Sequence, residues 1–250
     1  MDNKQEKEKL DNLYDRWHEI QHGEDKVDEI HMDPWHENVI NNIRDFSVFN
    51  DHEILEVGCG PGDFALFVSE FTKKTTGIDF SEAAIRIAKQ KAAAQRKKIH
   101  FQVADATDLP FVDHSFDTIF SFECLEHVPD PDRMIRECYR VLRKGGRLYL
   151  TTENYSNGLI LLWIYSWLTG NKFNSGTDQP HENFFLYWSL KKKFRRSGFK
   201  PVAWFGTHHV FLVLPRIHPH KFVVNAFSNR FFQKIFRPLA RHMTYIYEKP

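Results

Sequence analysis

The run Ile54-Leu55-Glu56-Val57-Gly58-Cys59-Gly60-Pro61-Gly62 decides how this chain is read. Its first four residues are a short strand pattern, apolar apart from Glu56. The residues that follow, Phe64–Phe71, are an apolar helical pattern. Three glycines therefore stand where a strand hands over to a helix. Glycine lets the backbone turn tightly and lets a ligand approach the main chain closely. Amides at a helix N-terminus favour an anionic group. The spacing is G-x-G-x-G, with an acid two residues before the first glycine, and not the G-x-G-x-x-G of a dinucleotide-binding turn. No Gly-Lys-Ser or Gly-Lys-Thr occurs, which excludes a phosphate-binding P-loop.

Outward from this loop, strand and helix patterns alternate. Strands are predicted at Glu53–Val57, Thr75–Asp79, Ile99–Ala104, Phe116–Phe122 and Arg147–Thr152. The fourth is almost continuously apolar, as buried parallel strands are. Between them lie a helix capped by Ser81 and running to about Gln95, and a helix over Pro131–Leu142 stopped by Lys144-Gly145-Gly146. Ahead of the loop, Leu10, Leu13, Tyr14, Trp17 and Ile20 recur at helical spacing and predict an amphipathic helix. The alternation predicts an α/β fold with helices on both faces of a parallel sheet. Past residue 154 the regularity breaks. A basic helix over Ser189–Ser197 and strands over Phe199–Phe205 and Met243–Glu248 are expected, with residues 206–240 inserted between the last two. The expected organisation is a helical cap over 1–45, a core over 46–154, and a remainder over 155–250 with insertions at 155–188 and 206–240.

Composition narrows the classes. The chain has 250 residues, 42% of them hydrophobic, with mean hydropathy −0.51. That suffices for one large domain with a buried core, and no apolar run reaches the ~20 residues of a membrane-spanning helix. The charged start, Met1–Lys9, does not read as a signal peptide. Cys59, Cys124 and Cys138 are odd in number and widely spaced, so a cytoplasmic setting is expected rather than a disulfide framework. The net charge of +1 hides a split: residues 1–154 carry −10 and residues 155–250 carry +11. A basic, aromatic C-terminal part suits an anionic partner, against the alternative of a solvated face.

The motifs taken together resemble the class I S-adenosylmethionine-dependent methyltransferases. The likeness starts at Ile54–Gly62 and continues through Gly77-Ile78-Asp79-Phe80-Ser81, Ala104–Phe111 and Phe116-Asp117-Thr118-Ile119. It ends at Leu142–Leu148, five motifs in register over about residues 50–155. The resemblance implies a Rossmann-like, mostly parallel seven-stranded sheet with an antiparallel final strand, and S-adenosylmethionine as cofactor. Gly58, Gly60 and Gly62, with Cys59 as a small loop residue, would lie against its methionine part, and Glu56 would orient the loop or meet the amine. Asp79 would accept hydrogen bonds from both ribose hydroxyls. Phe80 would pack on the adenine, with Asp105 and the Ala106 amide at its edge. The bland alternatives are a helix cap for Asp79 and a turn carboxylate for Asp105.

Ser121-Phe122-Glu123-Cys124-Leu125-Glu126-His127-Val128-Pro129 follows the fourth strand, where ligands sit in a doubly wound sheet. Glu123 is expected on the cofactor side as well as at the chemistry. Glu-x-x-Glu-His resembles the ubiquinone-biosynthesis O-methyltransferases, which implies a divalent metal such as Mg²⁺ on Glu123, Glu126 and His127. A spacing of three and four residues would bring the three to one face of a helical turn. Two chemistries are open: His127 as general base, or a metal that binds a phenolate oxygen. Asn154 is a candidate further ligand. The alternative is that Glu126 and His127 stabilise the turn.

The acceptor would be chosen by residues 1–40, 155–188 and 206–240; these hold Trp17, Trp35, Trp163, Trp167 and Trp188, and Trp204 stands just ahead of the last. Aromatic lining suits a hydrophobic small-molecule or lipid-linked acceptor. The run Leu159–Leu168 reads as a lid, an interfacial helix or core. Lys191, Lys192, Lys193, Arg195 and Arg196 would favour anionic headgroups on the inner membrane face if they share a surface with it. A nucleic-acid acceptor is disfavoured, since the chain lacks Asn/Asp-Pro-Pro-Tyr/Phe and a recognisable RNA-binding module. A non-catalytic cofactor-binding protein is the remaining alternative.

Overall fold

The computed structural model describes residues 3–23, 27–43, 45–72, 74–154, 167–170, 181, 183, 185–207, 240 and 242–250. The predicted run Leu159–Leu168 falls largely outside them, as does nearly all of the 206–240 insertion.

The strands are β1 (Ile54–Val57), β2 (Thr75–Asp79), β3 (His100–Val103), β4 (Phe116–Phe122), β5 (Leu142–Glu153), β6 (Lys200–Thr207) and β7 (His242–Glu248). They form one sheet in the order β3-β2-β1-β4-β5-β7-β6. β1 pairs parallel with β2 and β4, and β7 runs antiparallel to both β5 and β6. Chain order reverses between β1 and β4, so a crevice opens beyond their carboxyl ends.

The alternation of side chains along each strand divides the core. Leu55, Val57, Ile119, Leu148 and Leu150 face α5 (Pro131–Val141) and α6 (Tyr187–Arg196). Ile54, Phe120, Phe122 and Tyr149 face α2 (Pro34–Asn42) and α3 (Asp63–Val68), where they meet Val39 and Phe64. α4 (Glu82–Ala94) packs on β2 and β3 through Ile85 and Ala88, against Leu66 of α3. Both faces of the sheet are covered, as the burial of Phe116 and Thr118–Phe122 in β4 demands. Ser81 caps α4, its hydroxyl accepting from the Ala84 amide at 3.1 Å.

Two expectations need correction. The Gly145-Gly146 pair does not stop the chain ahead of the fifth strand: β5 already starts at Leu142, paired with Phe116, and carries the glycines within it. The Gly145 amide donates to the Lys249 carbonyl at 2.7 Å and the Lys249 amide to the Gly146 carbonyl at 3.0 Å. A Cβ on Gly146 would lie 2.8 Å from the Asp117 carbonyl oxygen. The pair therefore serves close strand approach, which local turn propensity does not reveal.

The N-terminal helix α1 (Asn3–His22) forms, but only part of the predicted apolar stripe turns inward: Leu10 and Trp17 are half-buried. Tyr14 and His18 are buried, while Leu13 is 45% and Ile20 69% exposed. The helix lies over the crevice beyond the strand ends, where Leu10, Tyr14 and Trp17 face the open space and polar contacts anchor it. Asp15 accepts from the Ser81 hydroxyl at 2.6 Å and from the Ala83 amide at 3.1 Å.

Candidate active site

One cavity of about 910 Å³ runs along the carboxyl ends of the strands, under α1. Its first wall is the glycine loop. Gly58, Gly60 and Gly62 all have positive φ. A Cβ on Gly58 would meet Cys124 Sγ at 2.4 Å, and one on Gly62 would meet Phe101 Cζ at 2.8 Å. These two positions exclude any larger residue on steric grounds as well as by backbone conformation. The amides of Gly58 and Cys59 both donate to the Ile78 carbonyl at 2.9 Å. The Cys59 thiol is buried, and burial pushes its pKa well up, so it is not a nucleophile.

Asp79 ties the loop to the end of β2. Its Oδ2 accepts from the Gly60 amide at 3.0 Å and its Oδ1 from the Ser81 amide at 3.0 Å. Phe80 follows and packs edge-on against Tyr14 of α1, ring centroids 4.7 Å apart. Glu56 is 2% exposed at the cavity wall. Burial, with the charge of Asp63 beside it, holds its carboxyl well above the usual range. Among the described residues, its Oε2 receives no hydrogen bond. Asp63 itself is committed to a buried ion pair with Lys91 at 2.9 Å. Asp105 lines the cavity, but its Oδ1 accepts from the Thr107 amide and hydroxyl at 2.8 and 2.7 Å, the geometry of a turn carboxylate. Ala106 lines the same wall.

Sequence reasoning missed His18. It is 7% exposed, and its Cε1 lies 3.6 Å from where a Gly60 Cβ would be. Burial lowers its pKa and keeps the ring neutral. Its Nδ1 makes no hydrogen bond among the described residues. The signal available was its spacing, four residues after Tyr14 on one helical face.

The other end of the cavity is built by the segment after β4. Glu123 takes a positive φ of 42°, and the short 3₁₀ turn Leu125–His127 begins only two residues later. The three predicted ligands are thus not on one helical face, and their ligand atoms do not converge. Glu126 points into the protein: it is 1% exposed and its Oε2 accepts from the Thr152 hydroxyl at 2.9 Å. Burial first, and then the charge of Glu123, push its pKa to about 8, so at neutral pH it is mostly protonated. His127 Nδ1 donates to the His181 carbonyl at 2.7 Å, and Tyr14 Oη donates to the same carbonyl at 3.2 Å. Glu123 turns the other way, toward β5 and β7: His242 Nδ1 donates to its Oε2 at 3.2 Å. A cation on Glu123, Glu126 and His127 does not fit this arrangement. Asn154 is not aimed at a ligand either: its Nδ2 donates to the Ala240 carbonyl at 2.8 Å and its Oδ1 accepts from the Tyr187 amide at 3.2 Å.

With this geometry in place, the chain can be set beside known proteins. Residues 55–150 match a methyltransferase domain. The chain is 40% identical over 101 residues to a ubiquinone biosynthesis O-methyltransferase of Coxiella burnetii, covering 40% of this chain and 43% of that protein. It is 38% identical over 103 residues to an ajmaline N-methyltransferase of Rauvolfia serpentina, covering 40% and 35%. An S-adenosylmethionine-dependent methyltransferase structure from Mesorhizobium loti superposes with a TM-score of 0.60 at 18% identity, over 86% of this chain and 97% of that one. The aligned stretch spans less than half the length of the curated relatives. Residues 55–150 therefore carry a methyltransferase domain, on a class I, Rossmann-like methyltransferase fold.

Proposed function

We propose that this chain transfers a methyl group from S-adenosylmethionine to a hydroxyl oxygen of a hydrophobic acceptor, phenol- or quinol-like or lipid-linked. The observation that carries the reading is the cavity of about 910 Å³ that joins the glycine loop and Asp79 to His127. S-adenosylmethionine fits the first end. An ammonium group would satisfy the orphaned Glu56 Oε2 and ribose hydroxyls would meet Asp79, with His18 Nδ1 close above the loop. Phe80, held by Tyr14, would flank the adenine.

When bound, the cofactor supplies an electrophilic methyl on a sulfonium, so positioning provides much of the rate. The residual task is to make the acceptor oxygen nucleophilic, since a phenol ionises only near pH ~10. His127 suits it. Its Nδ1 faces a carbonyl, so Nδ1 carries the proton of the neutral ring and Nε2 is the basic nitrogen. His127 would take the acceptor's proton at Nε2 while the His181 carbonyl holds the ring in place. Glu126, mostly protonated, adds little negative charge beneath it. The O-methyltransferase among the relatives supports oxygen as the target atom.

Contact with an anionic membrane is part of the same proposal. Trp188, Lys192 and Arg195 are exposed at helical spacing on α6, which carries no acid. No described helix is long and apolar enough to cross a membrane.

The test is methyl transfer from labelled S-adenosylmethionine to extract fractions of lipid, small molecule, protein and nucleic acid. Label in the lipid or small-molecule fraction as an ether is the expected result. Label on nitrogen, or in nucleic acid, would replace the acceptor assignment.

A further inference from the structure

Three metal-ligating side chains converge at the carboxyl edge of the sheet from three neighbouring strands. Glu123 follows β4, Glu153 ends β5 and His242 opens β7. Glu153 and His242 are cross-strand partners in the ladder. Glu123 is held beside them by its amide, which donates to the Thr151 carbonyl at 3.2 Å. One ligand atom from each of the three lies within 4.8 Å of the others. His242 Nδ1 is 3.2 Å from Glu123 Oε2, and His242 Nε2 is 4.0 Å from Glu153 Oε1. All three side chains are at most 13% exposed, which separates this group from the solvated acid clusters common on surfaces.

Its position argues for a ligand. The backbones of all three are fixed by sheet hydrogen bonds, so the donors are presented by rigid elements. Glu123 also lines the large cavity, whereas Glu153 and His242 do not. Glu123 thus links the group to the acceptor end of the cavity. One imidazole nitrogen with carboxylate oxygens is a mixed donor set that suits Mn²⁺, Fe²⁺ or Zn²⁺ better than Mg²⁺, which prefers oxygen alone and keeps its waters.

We propose that Glu123, Glu153 and His242 form a divalent-cation site at the acceptor end of the cavity. It shares only Glu123 with the set that the Glu-x-x-Glu-His resemblance implies. Use of the cation to hold an acceptor oxygen rests on the methyltransferase reading; the binding does not.

The test is titration of Mn²⁺ into the chelator-stripped full chain, followed by calorimetry and by the electron paramagnetic resonance of free Mn²⁺. The site predicts one Mn²⁺ per chain, with affinity lowered about tenfold or more in His242→Ala and in Glu153→Gln. Glu126→Gln and His127→Ala should bind Mn²⁺ as the parent does. Circular dichroism checks that each variant is folded, and His242→Gln stands in if His242→Ala is not. No binding by the parent, or parental affinity in both the His242 and Glu153 variants, would overturn the site. So would loss of binding in Glu126→Gln or His127→Ala. S-adenosylmethionine titrated in parallel separates the two readings: cofactor binding without Mn²⁺ binding removes this site alone, and the converse removes the methyltransferase reading alone.

Discussion

At the ends of β1 and β2 the cavity is made largely of main chain, held by residues close in sequence. Gly58, Gly60 and Gly62 lie within five residues, and the Asp79 carboxylate that ties them down also orders its own neighbour, Ser81. At the ends of β4, β5 and β7 the cavity wall and the groups next to it are made of side chains from far apart. His242 is 119 positions from Glu123, and the His181 carbonyl that holds His127 is 54 positions away. The first half is a backbone cradle that tolerates little change. The second is a set of titratable groups whose protonation depends on burial and on each other. Chemistry is therefore expected to be tunable in the second half and binding to be fixed in the first.

The contrast breaks most visibly at His127. His127→Ala should lower kcat by about 10²–10⁴-fold, the usual contribution of a general base. Affinity for S-adenosylmethionine should stay at the parental value. Steady-state kinetics together with calorimetry read both, and a matching loss of cofactor affinity would erase the division between the halves.

Glu126 gives the next largest effect. Its folded pKa of about 8 lies above the ordinary 4.5, so the folded state binds its proton more tightly than the unfolded state. The stability this contributes is fully present below pH 4.5 and is lost as pH rises through about 8. The sum is on the order of 3–5 kcal/mol. Glu126→Gln should flatten that fall, so the variant gains on the parent in thermal melts between pH 5 and pH 9. Parallel pH curves for the two proteins would mean that Glu126 is not held protonated.

In the first half, Gly62→Ala should destabilise the fold by roughly 2–4 kcal/mol, since a Cβ there is both left-handed and overpacked. It would meet Ala88 Cβ at 2.9 Å as well as the Phe101 ring. Denaturant melts measure it, and a neutral result would show that the loop is looser than the contacts imply.

The same contrast explains what the sequence made legible. The glycine spacing, Asp79 and the apolar run of β4 are local patterns with local causes, and they specify the Rossmann-like sheet and one wall of the cavity. Leu13 and Ile20 misled because α1 covers an open cavity rather than a packed core, and Tyr14, Asp15 and His18 make its closest contacts. Gly145 and Gly146 read as a stop because turn propensity carries no information about Lys249, which reaches them from the far end of the chain. The spacing of Glu123, Glu126 and His127 suggested one helical face, but a left-handed residue at Glu123 sends its carboxylate to strands that a local reading cannot see.

The central claim is that the cavity binds S-adenosylmethionine through the β1–β2 edge. Calorimetric titration of S-adenosylmethionine into the parent chain and into Asp79→Ala tests it directly. The account predicts saturable binding to the parent and a loss of roughly 2–4 kcal/mol in the variant, because a charged acceptor shared by two hydroxyls is removed. No binding to the parent, or unchanged affinity in a folded Asp79→Ala chain, would contradict it.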